Sequence, residues 1–267
     1  MEARGVLAEH SFTELLNLLE WFKRRGPIPT IIGGWAVFFY NSYLGSVDID
    51  LVGYSMGGMF DQVLAGFERS QGYEEITMGP VGLWKNYRRR VFVDGDTVGF
   101  VEIDACSYES DLRVFHEDDD KELPYSLCGR EGYTSHVDLG NGLEAFIPRK
   151  PLLFLYKLKA FRDRSYDLRM RGASLSVARR EWLRAKRDKD GSDMIALLDP
   201  EPSRYSVEEA FDVGLFEEIV EEFDLYFALD SVGQLPYLRD SLEMYPKAKR
   251  DDVLEWVDLM SSQVSNG

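Results

Sequence analysis

Over 267 residues the chain carries 47 Asp and Glu against 31 Lys and Arg, a net charge of −16, which speaks against a surface coated for nucleic-acid binding. Only Cys106, Cys128 and three histidines (His10, His116, His136) are present, with no CxxC pair. Neither a disulfide framework nor a Cys/His zinc site is expected, and any bound metal must be held by oxygen. No window of about 18 uninterrupted apolar residues occurs, and the charged, amphipathic start MEARGVLAEHSFTELL is unlike a signal peptide. The expectation is a cytoplasmic protein without a membrane span, long enough to form two small domains.

Phe12, Leu15, Leu16, Leu18, Leu19 and Phe22 recur at helical spacing, and Lys23-Arg24-Arg25-Gly26-Pro27 supplies the basic end, glycine and proline that stop a helix. The spacing predicts a packing helix over 9–24. Ile28–Ile32 is a short β-branched run suited to a buried strand, and it stops at Gly33-Gly34, where the backbone turns without a Cβ in the way. WAVFFYNSYL, residues 35–44, reads as a buried helix. Val47–Val52 then alternates, so Asp48 and Asp50 point to one side while Val47, Ile49 and Leu51 point to the other. Met59, Phe60, Val63, Leu64 and Phe67 predict a helix over 59–70. Two strands follow, Gly82–Val93 and Thr97–Ser107, joined at Asp94-Gly95-Asp96, whose Asp-Gly step signals a hairpin. The second of these strands places Glu102 and Asp104 on one face. From Tyr108 to Phe146 the expectation is loop with an acid run at Glu117–Asp120 and edge strands at 136–139 and 143–147.

Pro148 and Pro151 look like a domain junction, giving domains of 1–148 and 149–267. Beyond it, Leu152–Arg164 and Val177–Leu198 read as basic helices, the second ended by Asp199-Pro200. Acidic amphipathic helices are expected over 206–229 and 236–261, the first opened by the capping-box pattern Ser206-Val-Glu-Glu209. Between Arg149 and Lys189 fourteen Lys and Arg face four acids (Asp163, Asp167, Glu181, Asp188), a local balance of +10 that leaves −26 on the rest of the chain. Such a strip suits a polyphosphate or part of an RNA. The plainer alternative is a solvated helix pair.

Two acids at alternate positions of one strand, joined by a third from another strand, make a cluster that cannot stay unpaired in a core and is suited to Mg²⁺ through oxygen ligands. Two such ions about 3.5–4 Å apart assist an in-line displacement. Gly-Gly at the entrance to a helix lets backbone N–H groups and the positive helix end approach a phosphate. Trp35, Tyr40 and Tyr43 are read as core or rim.

Gly33-Gly34, a helix, Ser46, Asp48-Ile49-Asp50-Leu51 and a later acid in a strand resemble the signature of the DNA polymerase β-like nucleotidyltransferase superfamily. Within it the chain is similar to the minimal and the abortive-infection (AbiEii) toxin-like nucleotidyltransferases, whose helical half carries a Lys helix and a Lys-Asp-x-x-Asp element; KLKAFRDR (157–164) and KDGSD (189–193) resemble these. The resemblance covers roughly residues 28–198. It implies an α+β fold, a nucleotidyltransferase mixed sheet flanked by helices and followed by a helical C-terminal domain. It also implies a two-Mg²⁺ enzyme that moves a nucleoside monophosphate from an NTP to a hydroxyl acceptor. Gly33, Gly34 and Ser46 would contact the nucleotide phosphates, Asp48 and Asp50 would bind both metals, and Asp104 would complete the metal site and help deprotonate the acceptor. Lys157 would meet the triphosphate and Lys189 would belong to the nucleotide site. Glu102 faces the same way as Asp104; the family pattern favours Asp104. The chain departs from the family at Leu44, where an arginine commonly stands.

The acceptor implied is an RNA or tRNA end or a protein, as in the toxin-like relatives, which act beside a cognate antitoxin. The acidic remainder would instead suit a cationic small molecule such as an aminoglycoside. Two other classes stay open: a non-catalytic NTP-binding or interaction protein of the same fold, and a DxD glycosyltransferase using a sugar nucleotide and Mn²⁺.

Overall fold

In the computed structural model the described residues are 2–76, 84–93, 96–110, 113–201, 203–205, 207 and 210–264. Gly82 and Leu83 of the expected strand, the Asp94-Gly95 step, and Ser206, Glu208 and Glu209 of the capping box lie outside them. The chain is α+β and divides into two compact units. One comprises Met1–Asp111, Pro124–Pro148 and Ser203–Val207, the other Leu112–Leu123, Arg149–Pro202 and Glu208–Gly267. No described helix is long and apolar enough to cross a membrane. Cys106 and Cys128 are both buried and form no disulfide.

The first unit is built on a seven-stranded mixed sheet. Its strands are β1 (Thr30–Ile32), β2 (Asp48–Gly53), β3 (Glu74–Glu75), β4 (Trp84–Val93), β5 (Asp96–Ser107), β6 (Thr134–Asp138) and β7 (Glu144–Pro148). They lie in the order β3-β4-β5-β2-β1-β7-β6. β1 runs antiparallel to β2 and parallel to β7, and β2 runs parallel to β5. Helices α1 (Glu2–Lys23) and α3 (Met59–Gln71) lie against one face of the sheet. Leu15, Leu18, Leu19 and Phe22 of α1 are fully buried, as are Ile49, Leu51, Val101 and Ile103 of the strands. The ring of Phe60 on α3 packs so closely under Gly53 that a Cβ there would stand 2.8 Å from it. A hydrogen bond of 2.9 Å from Trp21 Nε1 to the Val63 carbonyl ties α1 to α3.

Helix α2 (Gly33–Tyr40) joins β1 to β2 and is buried nearly all round, as its unbroken apolar run requires. It ends at Tyr40 rather than Leu44: the Asn41 N–H closes on the Val37 carbonyl at 2.8 Å while Asn41 itself is extended. Trp35 belongs to the core. Its indole N–H donates to Ser11 Oγ at 3.0 Å and its ring packs on Phe12 and Phe38.

The second unit is organised on α4 (Lys150–Met170) and α5 (Val177–Leu198), followed by α6 (Val213–Glu222), α7 (Phe227–Gln234), α8 (Arg239–Met244) and α9 (Arg250–Val264). Pro151 does not break the chain; it sits in the first turn of α4, where a missing N–H is harmless. Helix α4 continues past Arg164 to Met170, because ion pairs take over where the apolar spacing fades: Arg162 reaches Glu117 at 2.9 Å and Asp118 at 2.8 Å, and Arg169 also pairs with Glu117. These contacts attach the acid run 117–120 to the helical unit. The single helix expected over 206–229 is instead α6 and α7, since Asp224 adopts a positive φ of 52° and stops α6, a conformation Asp tolerates. The one expected over 236–261 is α8 and α9, interrupted at Tyr245, whose helical geometry the following Pro246 disfavours.

Candidate active site

The parallel pairing of β2 with β5 determines the site. Asp48 stands opposite Glu102 and Asp50 opposite Asp104, and paired residues of adjacent strands share a face. Alternation places Ile49, Leu51, Ile103 and Ala105 on the helix-covered side. Four carboxylates therefore occupy a two-by-two block on the other side, each only half-buried. Adjacent strands are about 4.8 Å apart and alternate residues about 7 Å apart, so these groups feel one another strongly.

Asp104 registers that crowding. Its carboxyl is pushed up to about 7, first by burial and then by the negative charge of Asp50, with smaller contributions from Asp48 and Glu102, while a hydrogen bond from Asn86 opposes the rise. Asn86 stands directly opposite Asp104 on β4, and its side-chain amide donates to Asp104 Oδ1. The position of Asn86 on a strand was visible in the sequence. That it faces Asp104 depends on hairpin register, which alternation alone does not fix.

Gly33 is shaped by Asp50. Ile32, the last residue of β1, pairs with Asp50, so the chain enters α2 against that carboxylate. Gly33 has φ +68°, and a Cβ there would lie 2.0 Å from Asp50 Oδ2 and 2.7 Å from its Cγ. Both the backbone conformation and the contact demand glycine. Gly34 is buried in the first turn of α2, and Ser46 is buried just before β2. Leu44 lies half-buried in the turn between them. The sheet unit thus holds Gly33, Gly34, Ser46, Asp48, Asp50, Glu102 and Asp104.

Lys157 and Lys189 lie in the helical unit, each about 8% exposed, where they converge on Asp193, which is fully buried. Lys157 Nζ is 2.6 Å from Asp193 Oδ2 and 3.6 Å from Asp190 Oδ1, and Lys189 Nζ is 2.9 Å from Asp193 Oδ2. Arg164 also pairs with Asp190. Burial lowers Lys189 to about 8, Asp193 opposes the fall and Lys157 adds to it. Much of the basic strip is matched in the same way: Arg149 with Asp212 at 3.0 Å, Lys159 with Asp163, and Arg187 with Asp188 at 2.6 Å.

The carboxylate block has the donor chemistry of a hard-cation site. Asp48, Asp50 and Asp104 offer only oxygens, with Glu102 adjoining, and a divalent cation would offset the like charge gathered there. Among the described residues no three His, Cys, Asp or Glu side chains surround a common point. Mg²⁺ characteristically uses one or two carboxylates and completes its shell with water and substrate phosphates, so the residues fit that ion. No protein-family model matches the chain, and no curated protein matches it.

Proposed function

We propose that the chain is a Mg²⁺-dependent nucleotidyltransferase of the polymerase β-like type. It would transfer a nucleoside monophosphate from an NTP to a hydroxyl acceptor and release pyrophosphate. The observation that supports this reading is the β2–β5 register, which sets Asp50 beside Asp104 and Asp48 beside Glu102 on one face, with Gly33 closed onto Asp50. Crowded like charges at a half-buried face are what a cationic ligand resolves.

In this reading Asp48, Asp50 and Asp104 would divide the coordination of two Mg²⁺ ions, one or two carboxylates to each, and the ions would supply neutralisation of charge on the triphosphate and the acceptor oxygen. Asp104, oriented by the Asn86 amide, takes the proton of the acceptor hydroxyl. The acceptor oxygen forms a bond to the α-phosphorus as the bond from that phosphorus to the bridging oxygen breaks, and pyrophosphate departs with the electron pair. The backbone at Gly33-Gly34, free of side chains at the start of α2, lets a phosphate approach the helix end.

Incubation with α-phosphate-labelled NTPs, Mg²⁺ and a mixture of total RNA and aminoglycosides tests the proposal. Label should move to one acceptor with stoichiometric pyrophosphate release, and both should vanish in Asp48→Asn. Absence of Mg²⁺-dependent pyrophosphate release with every NTP and acceptor would overturn it, as would undiminished transfer by the variant.

A further inference from the structure

The face that carries the four carboxylates does not end with them. Asn86, Arg88 and Arg90 alternate along β4 opposite Asp104, Glu102 and Phe100, so the acid block passes into a basic and aromatic stretch on the same side of the same sheet. The Phe100 ring lies under both arginines, 5.0 Å from the Arg88 guanidinium carbon and 5.8 Å from that of Arg90, within the range where a cation and a ring attract. Arg88 Nε makes no hydrogen bond, and Glu74 Oε2 lies 3.9 Å from it, an exposed pairing of the kind that contributes little. Arg90 is exposed, and Phe92, two residues further along β4, is 57% exposed. A pocket bounded by Gly72, Glu74, Arg88, Arg89, Arg90 and Phe92 adjoins them.

Elsewhere among the described residues much of the positive charge is paired with carboxylates, while Arg179 on α5 lies over the Trp182 ring at 4.0 Å. Arg89, on the opposite face, is paired with Glu14 at 2.7 Å, and the buried lysines of α4 and α5 are paired with aspartates. Arg88 and Arg90 are held in place by an aromatic ring, which positions a guanidinium without neutralising it. A strand rises about 3.4 Å per residue, so the two arginines stand about 7 and 14 Å along β4 from Asn86, the residue bonded to Asp104. Planar cations in a row beside exposed aromatic faces match a single-stranded polynucleotide, whose phosphates take the cations and whose bases stack on rings.

We propose that the β4–β5 hairpin is the acceptor platform of the transfer site, binding the single-stranded end of a nucleic acid with Arg88 and Arg90 on its phosphates and Phe92 against a base, its terminal hydroxyl directed to the carboxylates. The inference rests on the nucleotidyltransferase reading for its catalytic consequence, and on the hairpin face alone for binding.

Fluorescence anisotropy with a labelled oligoribonucleotide, across a salt titration, tests it in the full-length protein. Arg88→Gln combined with Arg90→Gln should make the log–log salt dependence shallower by about 1.4, since each single-strand phosphate contact contributes about 0.7. Phe92→Ala should weaken binding about 5- to 150-fold. Arg179→Gln with Arg184→Gln, at exposed positions of α5, should leave binding unchanged. The Arg88→Lys, Arg90→Lys variant, which keeps the charges, should keep the salt slope, and matching thermal melts separate lost binding from lost folding. In turnover, the glutamine variant should raise KM for the oligonucleotide and not for the NTP. An unchanged slope in that variant overturns the platform. So does loss of binding through the α5 variant, or a raised KM for NTP, which would give the arginines to the triphosphate. Oligonucleotide binding without any transfer supports the platform while sinking the transferase reading; transfer to an aminoglycoside without oligonucleotide binding does the reverse.

Discussion

Two of the protein's concentrations of ionisable side chains follow opposite rules. In the helical unit the buried Lys157 and Lys189 meet Asp190 and Asp193, with the half-buried Arg164 joining at Asp190, cation against anion at 2.6 to 3.6 Å where Lys157 is concerned. On the sheet, Asp48, Asp50, Glu102 and Asp104 are brought side by side by strand register, anion against anion, and an amide, not a cation, donates to Asp104. Matched charge in a core holds helices in one arrangement, because each group left alone there would be costly. Like charge at a half-buried face stores repulsion that a ligand can relieve. Substitutions should therefore separate the two regions by what they damage, stability in one and activity in the other.

The sharpest test exchanges one carboxylate in each. Asp50→Asn should lower transfer on the order of 10³-fold or more without lowering the melting temperature, because removing one of several crowded negative charges relieves repulsion. A large loss of stability in that variant would erase the contrast. Asp193→Ala should do the opposite and destabilise by about 3–5 kcal/mol, since it leaves two buried lysines without their shared partner. Denaturant unfolding checks this, and a change below about 1 kcal/mol would show that the buried network is not structural.

Gly33→Ala comes next. The added Cβ must displace the Asp50 carboxylate, 2.0 Å away, and a misplacement of about 1 Å in a catalytic group costs about 10²-fold in rate. Transfer kinetics beside a thermal melt would show whether the loss falls on activity.

Glu68 marks a boundary of the comparison, being a buried carboxylate in the sheet unit but on its helix-covered side. Burial pushes its carboxyl up to about 8, against a hydrogen bond from Tyr87 and the charge of Lys85. The folded protein thus keeps a proton that the unfolded chain releases near pH 4.5. Stability should fall as pH rises from about 4.5 to about 8 and level off beyond, because over that window the unfolded state binds fewer protons. Glu68→Gln should flatten this component. An unaltered pH profile would remove Glu68 from the account.

Elements with a strong period are legible in the sequence. The apolar spacing of α1, the alternation in β2 and β5, the start and end of α5 and the glycine turn before α2 all follow from local chemistry. The long acidic helices expected over 206–229 and 236–261 divide instead, because amphipathic spacing persists across short breaks, and the residues that end them, Asp224 and Tyr245, matter only through their backbone conformations. The basic strip in 149–189 looks available for a polyanion because composition counts charges without their partners. Glu117, Asp118 and Asp212, distant in sequence, neutralise part of it.

For the site itself, alternation is enough to put Asp48 with Asp50 and Glu102 with Asp104, since the two-residue period of a strand is a property of the backbone. What joins the two pairs is the parallel β2–β5 register, a long-range pairing across more than fifty residues that no local pattern encodes. The same is true of Asn86 beside Asp104, of Asp50 against Gly33, and of the two arginines over Phe100. Periodicity told which way each side chain points; only the packing of distant strands decided which other side chains it meets.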